Sequence, residues 1–208
     1  MHKLAFAYGN NGQYKDSLEI DDKVYELSSK VLGEEHPDAL ASLNNLAVEY
    51  GELGEHEKAL ELTRKAYELS CKILGGEDLS MHGSLHSLAI EYIKLGDRQK
   101  ALELKKKLYE RQSKVLGEEH PGMLRSLNNL AVQYGELGDH QKALELKKKL
   151  YERQSKVLGE EHPDTLISLK NLAGAYDALG EHQKAVELAG KACERQRKEQ
   201  GKRNTMVY

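Results

Sequence analysis

The sequence predicts an all-α solenoid built from helical hairpins, and three recurrences carry that prediction. The phrase LGEEHP begins at Leu32, Leu116 and Leu158, with a degenerate copy, LGGEDL, at Leu74, so the spacing is 42 residues throughout. In the same register Leu4, Leu46, Leu88, Leu130 and Leu172 are each followed by alanine: Ala5, Ala47, Ala89, Ala131 and Ala173. A tyrosine follows three residues after each alanine (Tyr8, Tyr50, Tyr92, Tyr134, Tyr176), and a glycine four residues later (Gly12, Gly54, Gly96, Gly138, Gly180). Five repeats result.

Each repeat divides into two helices. In the second, Leu40, Leu43, Leu46, Ala47 and Tyr50 fall on one face at helical spacing and define a first helix, A. Gly54 ends the turn to a second helix, B, which carries Ala59, Leu60, Leu62, Ala66, Tyr67 and Leu69 and stops at Leu74–Gly75, where glycine suits a left-handed cap. In EHP the proline opens the next A helix with its preset φ and no N–H to orphan. The alanine column lets the two helices of a hairpin approach closely. A lone hairpin leaves an apolar face exposed, so stability comes from stacking on neighbours.

The repeats are placed at 1–36, 37–78, 79–120, 121–162 and 163–201, with a fraying tail at 202–208. Leu4 already stands at the third turn of its A helix, so the first repeat is expected to be truncated. Uncapped apolar ends imply end-to-end self-association.

Composition narrows the function. Thirty-one basic against 34 acidic residues give a net charge of −3, which offers no general attraction to nucleic acid or an anionic bilayer. No apolar run reaches the ~20 residues that span a membrane. The two cysteines, Cys71 and Cys193, lie far apart and suit reduced thiols in the cytoplasm.

The small residue at Ala47, the aromatic at Tyr50, then Gly54, Ala59 and Ala66 resemble the tetratricopeptide pattern. The 42-residue length, with LNNLAVEYGELGEHEKAL leading to LGEEHP, is most similar to the repeats of kinesin light chain. That resemblance implies a right-handed superhelical solenoid with A helices lining a concave surface and B helices forming the convex one. It also implies a protein-interaction scaffold that binds an extended peptide on the concave face, as kinesin light chain binds short cargo segments, commonly a tryptophan flanked by acidic residues. A structural spacer or self-assembly array within a larger signalling protein is the alternative.

The resemblance places Asn44, Asn45, Asn128, Asn129 and Asn171 on the concave side. An amide supplies donors and an acceptor, which suits it to grip a peptide backbone; the alternative is that these amides bridge adjacent A helices. Repeat three interrupts the ladder with His86 and Ser87, and Lys170 replaces the first asparagine of repeat five. On the same helical face Lys94, Arg125 and Lys170 stand against Glu52, Glu136 and Asp177, so the middle of the groove leans basic and an acidic segment is the expected ligand; a mixed solvated face with no such preference is the alternative. A chaperone-type carboxylate clamp is excluded, because the column it needs polar reads Phe6, Val48, Ile90, Val132 and Gly174. That column instead supplies apolar floors.

No cofactor, metal or catalytic role is expected. His36, His120 and His162 recur a whole repeat apart and cannot share an ion, and His56, His140 and His182 occupy the Tyr14 column, a packing position. His82 and His86 form an i, i+4 pair without a third ligand. The triplets Lys105–Lys107 and Lys147–Lys149 read as solvated convex faces with helical salt pairs. Residues 100–121 and 142–163 are identical, which marks a recent duplication. Repeat three departs from the pattern at GGEDLSMHGSL, which reads either as drift within a repeat array or as a soft joint between repeats two and three.

Overall fold

A computed structural model describes residues 13–74 and 81–205. The A helix expected of repeat one, with Leu4, Ala5, Tyr8 and Gly12, lies outside the described residues, as do residues 75–80 of the expected soft joint. The described residues form helices α1 (Tyr14–Leu32), α2 (Pro37–Glu52), α3 (His56–Leu74), α4 (Met81–Lys94), α5 (Arg98–Val115), α6 (Pro121–Glu136), α7 (His140–Leu158), α8 (Pro163–Ala178) and α9 (His182–Thr205). No strand occurs among them. The even-numbered helices are the A helices, and α9 continues past Gly201 into the segment expected to fray.

Two compact units divide the chain, Met1–Leu104 and Lys105–Tyr208, with the boundary inside α5 rather than at a repeat junction. In the first, α1 packs on α2, α2 on α3 and α3 on α4; in the second, α6 packs on α7, α7 on α8 and α8 on α9. Every sequential neighbour in these runs is a packing neighbour. This is the all-α helical-repeat solenoid that the 42-residue register requires.

The core follows the columns. Leu43, Leu46 and Ala47 are buried in α2, as are Leu127, Leu130 and Ala131 in α6 and Leu169, Leu172 and Ala173 in α8. Ala59 and Ala66 are fully buried in α3. Gly54 has φ +81°, where only glycine sits without strain, and its N–H bonds Gly51 O while Glu55 N–H bonds Tyr50 O at 2.9 Å. Beyond each such turn a lysine of the B helix lies over the tyrosine of the A helix: Lys58 over Tyr50 at 4.9 Å, Lys100 over Tyr92 at 5.3 Å, Lys142 over Tyr134 at 5.3 Å and Lys184 over Tyr176 at 4.5 Å.

The LGEEHP phrase has a division of labour that periodicity alone does not disclose. Proline opens α2, α6 and α8, and the preceding histidine caps them: Nδ1 of His36, His120 and His162 accepts the N–H of Asp38, Gly122 and Asp164 at 3.2, 3.0 and 3.2 Å. One orphan donor per helix is thereby satisfied. The two glutamates pair with the B helix of the following repeat. Lys65 reaches Glu34 at 2.8 Å and Lys72 reaches Glu35; Arg153 reaches Glu118 at 2.8 Å, Lys156 reaches Glu119 at 2.6 Å and Arg195 reaches Glu160 at 2.6 Å. The Lys65 ammonium holds the Glu34 carboxyl below its ordinary range.

The histidines of the Tyr14 column do not share one environment. His56 and His140 are half-buried, whereas His182 is exposed and its Nδ1 lies 2.7 Å from Asp177 Oδ1. Packing therefore describes only the first two.

Candidate functional site

In each unit a groove runs between successive A helices, floored by the B helix between them. In the first unit a cavity of about 390 Å³ lies between α2 and α4 over α3, lined by Asn44, Val48, Glu52, Thr63, Ile90, Glu91 and Lys94 and widened by Gly83, Ser84 and Ser87. In the second, a cavity of about 430 Å³ lies between α6 and α8 over α7. It brings together Arg125, Asn128 and Asn171 with Leu124, Val157, Leu158 and Ile167. Val48, Val157, Leu158 and Ile167 are exposed apolar side chains. Of the apolar column, Val48 and Ile90 line the first cavity, whereas Val132 and Gly174 do not line the second.

Among the described residues none of Asn44, Asn45, Asn128, Asn129 and Asn171 makes a side-chain hydrogen bond, so the amides form no bridge between the described A helices. Asn44, Asn128 and Asn171 line the cavities, whereas Asn45 and Asn129 line neither. Arg125 is exposed and makes no ion pair among the described residues.

The remaining predicted site residues are engaged. Lys94 Nζ lies 3.2 Å from Glu91 Oε1 at the edge of the first cavity. Lys170 donates to Gln196 Oε1 on α9 at 2.8 Å, away from Asn171. His86 is half-buried and already holds an interaction.

Below the grooves runs a buried polar column, formed where a B helix meets the next A helix. Asp21 of α1 faces Glu49 of α2, both buried, and the Ser17 hydroxyl donates to Glu49 Oε1. Burial pushes the Glu49 carboxyl above its ordinary range and the facing Asp21 adds to this, against the pull of the Ser17 hydroxyl. One repeat on, Thr63 is the α3 residue and Glu91 is buried with His56 Nδ1 3.3 Å from its Oε2. In the second unit Lys105 Nζ donates to the buried Gln133 Oε1 at 2.7 Å, across 28 residues of chain. Burial lowers the Lys105 ammonium and the Glu136 carboxylate partly restores it. The next pair in the register is Lys147 and Ala175.

This column corrects one expectation. Lys105 is 9% exposed and Lys147 is half-buried, so the first lysine of each triplet belongs to the helix interface and not to a solvated face. Glu49 and Glu91 are likewise interior rather than surface residues. Their spacing, three residues after the core leucines Leu46 and Leu88, was the available signal, because i and i+3 share a helix face.

Comparison with known proteins agrees with this architecture. The tetratricopeptide repeat family model matches residues 1–72, 80–154 and 123–198. The chain belongs to that family. The crystal structure of the nearly identical TPR-like repeats of a Podosopora anserina protein of kinesin light chain type is 38% identical, covering 96% of this chain and 94% of that one, with a TM-score of 0.86. BtubC (BKLC) from P. vanneervenii shares the fold at 20% identity, covering 95% of this chain and 79% of that one, TM-score 0.80. YrrB does so at 18% identity, covering 93% and 84%, TM-score 0.59. No curated protein matches the chain in sequence. Tetratricopeptide repeats define a protein–protein interaction scaffold.

No helix among the described residues is long and apolar enough to cross a membrane.

Proposed function

We propose that the chain binds an extended segment of a partner protein along the A-helix grooves, with Asn44, Asn128 and Asn171 gripping the partner's backbone. The observation that carries this reading is the pairing, in one groove, of amides with no hydrogen-bond partner among the described residues and exposed aliphatic side chains. Each free amide offers hydrogen bonds to a peptide group, and Val157, Leu158 and Ile167 offer burial to its side chains. Arg125 beside Asn128 favours an acidic segment. Binding of this kind is similar to cargo recognition by kinesin light chain, and YrrB, which has the same fold, is described as having an unusual peptide-binding site. We place the protein in the cytoplasm, where Cys71 and Cys193 remain free thiols, and assign it no catalytic activity.

The test is a peptide array probed with the wild-type chain and with the Asn44→Ala, Asn128→Ala, Asn171→Ala triple variant. Wild-type hits lost by the triple variant, with helix content unchanged, are the expected result. Hits retained at full strength overturn the reading.

A second reading, end-to-end self-association, draws on one observation. Val186 of α9 is 73% exposed at the repeat position where Leu144 is 8% exposed and packed against Leu172 and Tyr176. Light scattering across a dilution series tests it: mass rising with concentration in wild type and not in Val186→Glu supports the reading, and concentration-independent mass removes it.

A further inference from the structure

The identical segments 100–121 and 142–163 place the same lysine in two different surroundings. Lys105 meets Gln133, which accepts its hydrogen bond at 2.7 Å, and Glu136, whose carboxylate acts on it through space. Forty-two residues later the corresponding residues of α8 are Ala175 and Ala178. Both complementary groups are cut back to a methyl.

Lys147 nevertheless stays at the interface. It lies on α7 between Leu144 and Tyr151, three residues after one and four before the other, and both pack against the cluster containing Ala175 and Tyr176. Its side chain is half-buried, and among the described residues no hydrogen bond or ion pair holds its ammonium. Burial alone acts on it, lowering its pKa, with no carboxylate to offset the effect. A half-buried charge without a counter-charge costs free energy that an added carboxylate would recover.

Room for that carboxylate exists on α8. A Cβ built on Gly174 meets nothing within 4 Å, and Asn171, one turn earlier on α8, lines the groove of this unit. Thr63, Ile90, Glu91 and Lys94, at the repeat positions of Lys147, Gly174, Ala175 and Ala178, line the groove of the first unit, whereas the cavity of the second unit is lined by Leu150, Gln154, Val157 and Leu158 of α7 and not by Lys147 itself. By repeat register the charge, the missing acceptor and the open position therefore fall on the continuation of the groove that Asn171 lines.

We propose that Lys147 is the charge receptor of this groove. An acidic side chain of the bound segment lies over the exposed Gly174 and Ala178 and makes the ion pair that α8 leaves unmade. This rests on the peptide-groove reading and adds to it a residue and a ligand chemistry, a carboxylate seated on Lys147, separate from Arg125 at the rim.

The experiment uses an array of extended peptides in which each position carries Glu in one member and Gln in its twin. Wild type is expected to favour the Glu member at one position by about tenfold or more, the range for hydrogen bonds to charged groups. Lys147→Gln is expected to erase that preference while still binding the Gln twin, and Lys147→Arg to retain it. Ala175→Glu, which supplies the carboxylate internally, is expected to bring the Glu member down to the level of its twin. A Glu/Gln ratio unchanged in Lys147→Gln overturns this inference and leaves the groove reading standing. A wild type that binds no member of the array overturns the groove reading, and this inference with it. If Lys147→Gln loses helix content, the Ala175→Glu arm decides: an undiminished Glu preference there overturns the proposal.

Discussion

Asp21 and Glu49 face each other as two buried carboxyls across the α1–α2 interface, with the Ser17 hydroxyl donating to Glu49. Two like charges this close favour a form that retains a proton, and burial raises Glu49 above its ordinary value of 4.5. A raised carboxyl pKa contributes stability below the unfolded value and loses it as pH rises through the folded value. The thermal midpoint should therefore fall as pH climbs from about 4.5 through the raised pKa of Glu49, and Glu49→Gln should flatten that slope and add about 1 kcal/mol at neutral pH. The carboxyls held low, such as Glu34, Asp97 and Asp139, lose their contribution below their ordinary values, so the two windows separate. A melting series across pH for wild type and Glu49→Gln checks this, and an unchanged slope refutes it.

The histidine caps give a second expectation. His120→Ala leaves the Gly122 N–H without its acceptor, which should cost about 1 kcal/mol in urea unfolding. His120→Asn restores an N-cap acceptor and should recover most of the loss. If alanine and asparagine are equally destabilising, the ring contributes through packing and not through Nδ1.

Alanine and glycine positions separate packing from backbone effects. Ala131 is fully buried, so Ala131→Leu should overpack the hairpin and cost roughly 1–3 kcal/mol. Gly83 lies within α4 with open space where its Cβ would be, so Gly83→Ala should stabilise by up to about 1 kcal/mol. Gly54→Ala, at φ +81°, should destabilise despite equally open space. Denaturant midpoints of the three variants test the ordering.

How far the sequence reached can be judged from single residues. Ala47, Tyr50 and Gly54 recur at fixed spacing because each hairpin needs the same close approach, the same stacked ring and the same left-handed turn, so the fold was legible. Asn44, Asn128 and Asn171, which line the cavities between A helices, were picked out because the family resemblance pointed to that helix face. The contrast between Lys105 and Lys147 was hidden in a segment whose two copies are identical, since their surroundings differ only through α6 and α8. Lys170 read as a groove cation from its column, but the Gln196 side chain on α9, outside the A-helix pattern, takes up its ammonium.

The inter-repeat ion pairs carry the last prediction, and magnitude decides their role. Lys156 and Glu119 meet at 2.6 Å with side chains 76% and 52% exposed, so water and salt screen the pair and it is worth no more than about 1 kcal/mol. Arg195 is held more firmly, reaching Glu160 at 2.6 Å and the Tyr151 hydroxyl at 2.9 Å with its side chain 25% exposed. Arg195→Met should therefore destabilise the second unit more than Lys156→Met does, and added salt should shrink the Lys156 effect further than the Arg195 effect. A salt titration of both variants' urea midpoints measures this. Equal losses that vanish together in salt would mean that the Tyr151 hydrogen bond adds nothing to the Arg195 clamp.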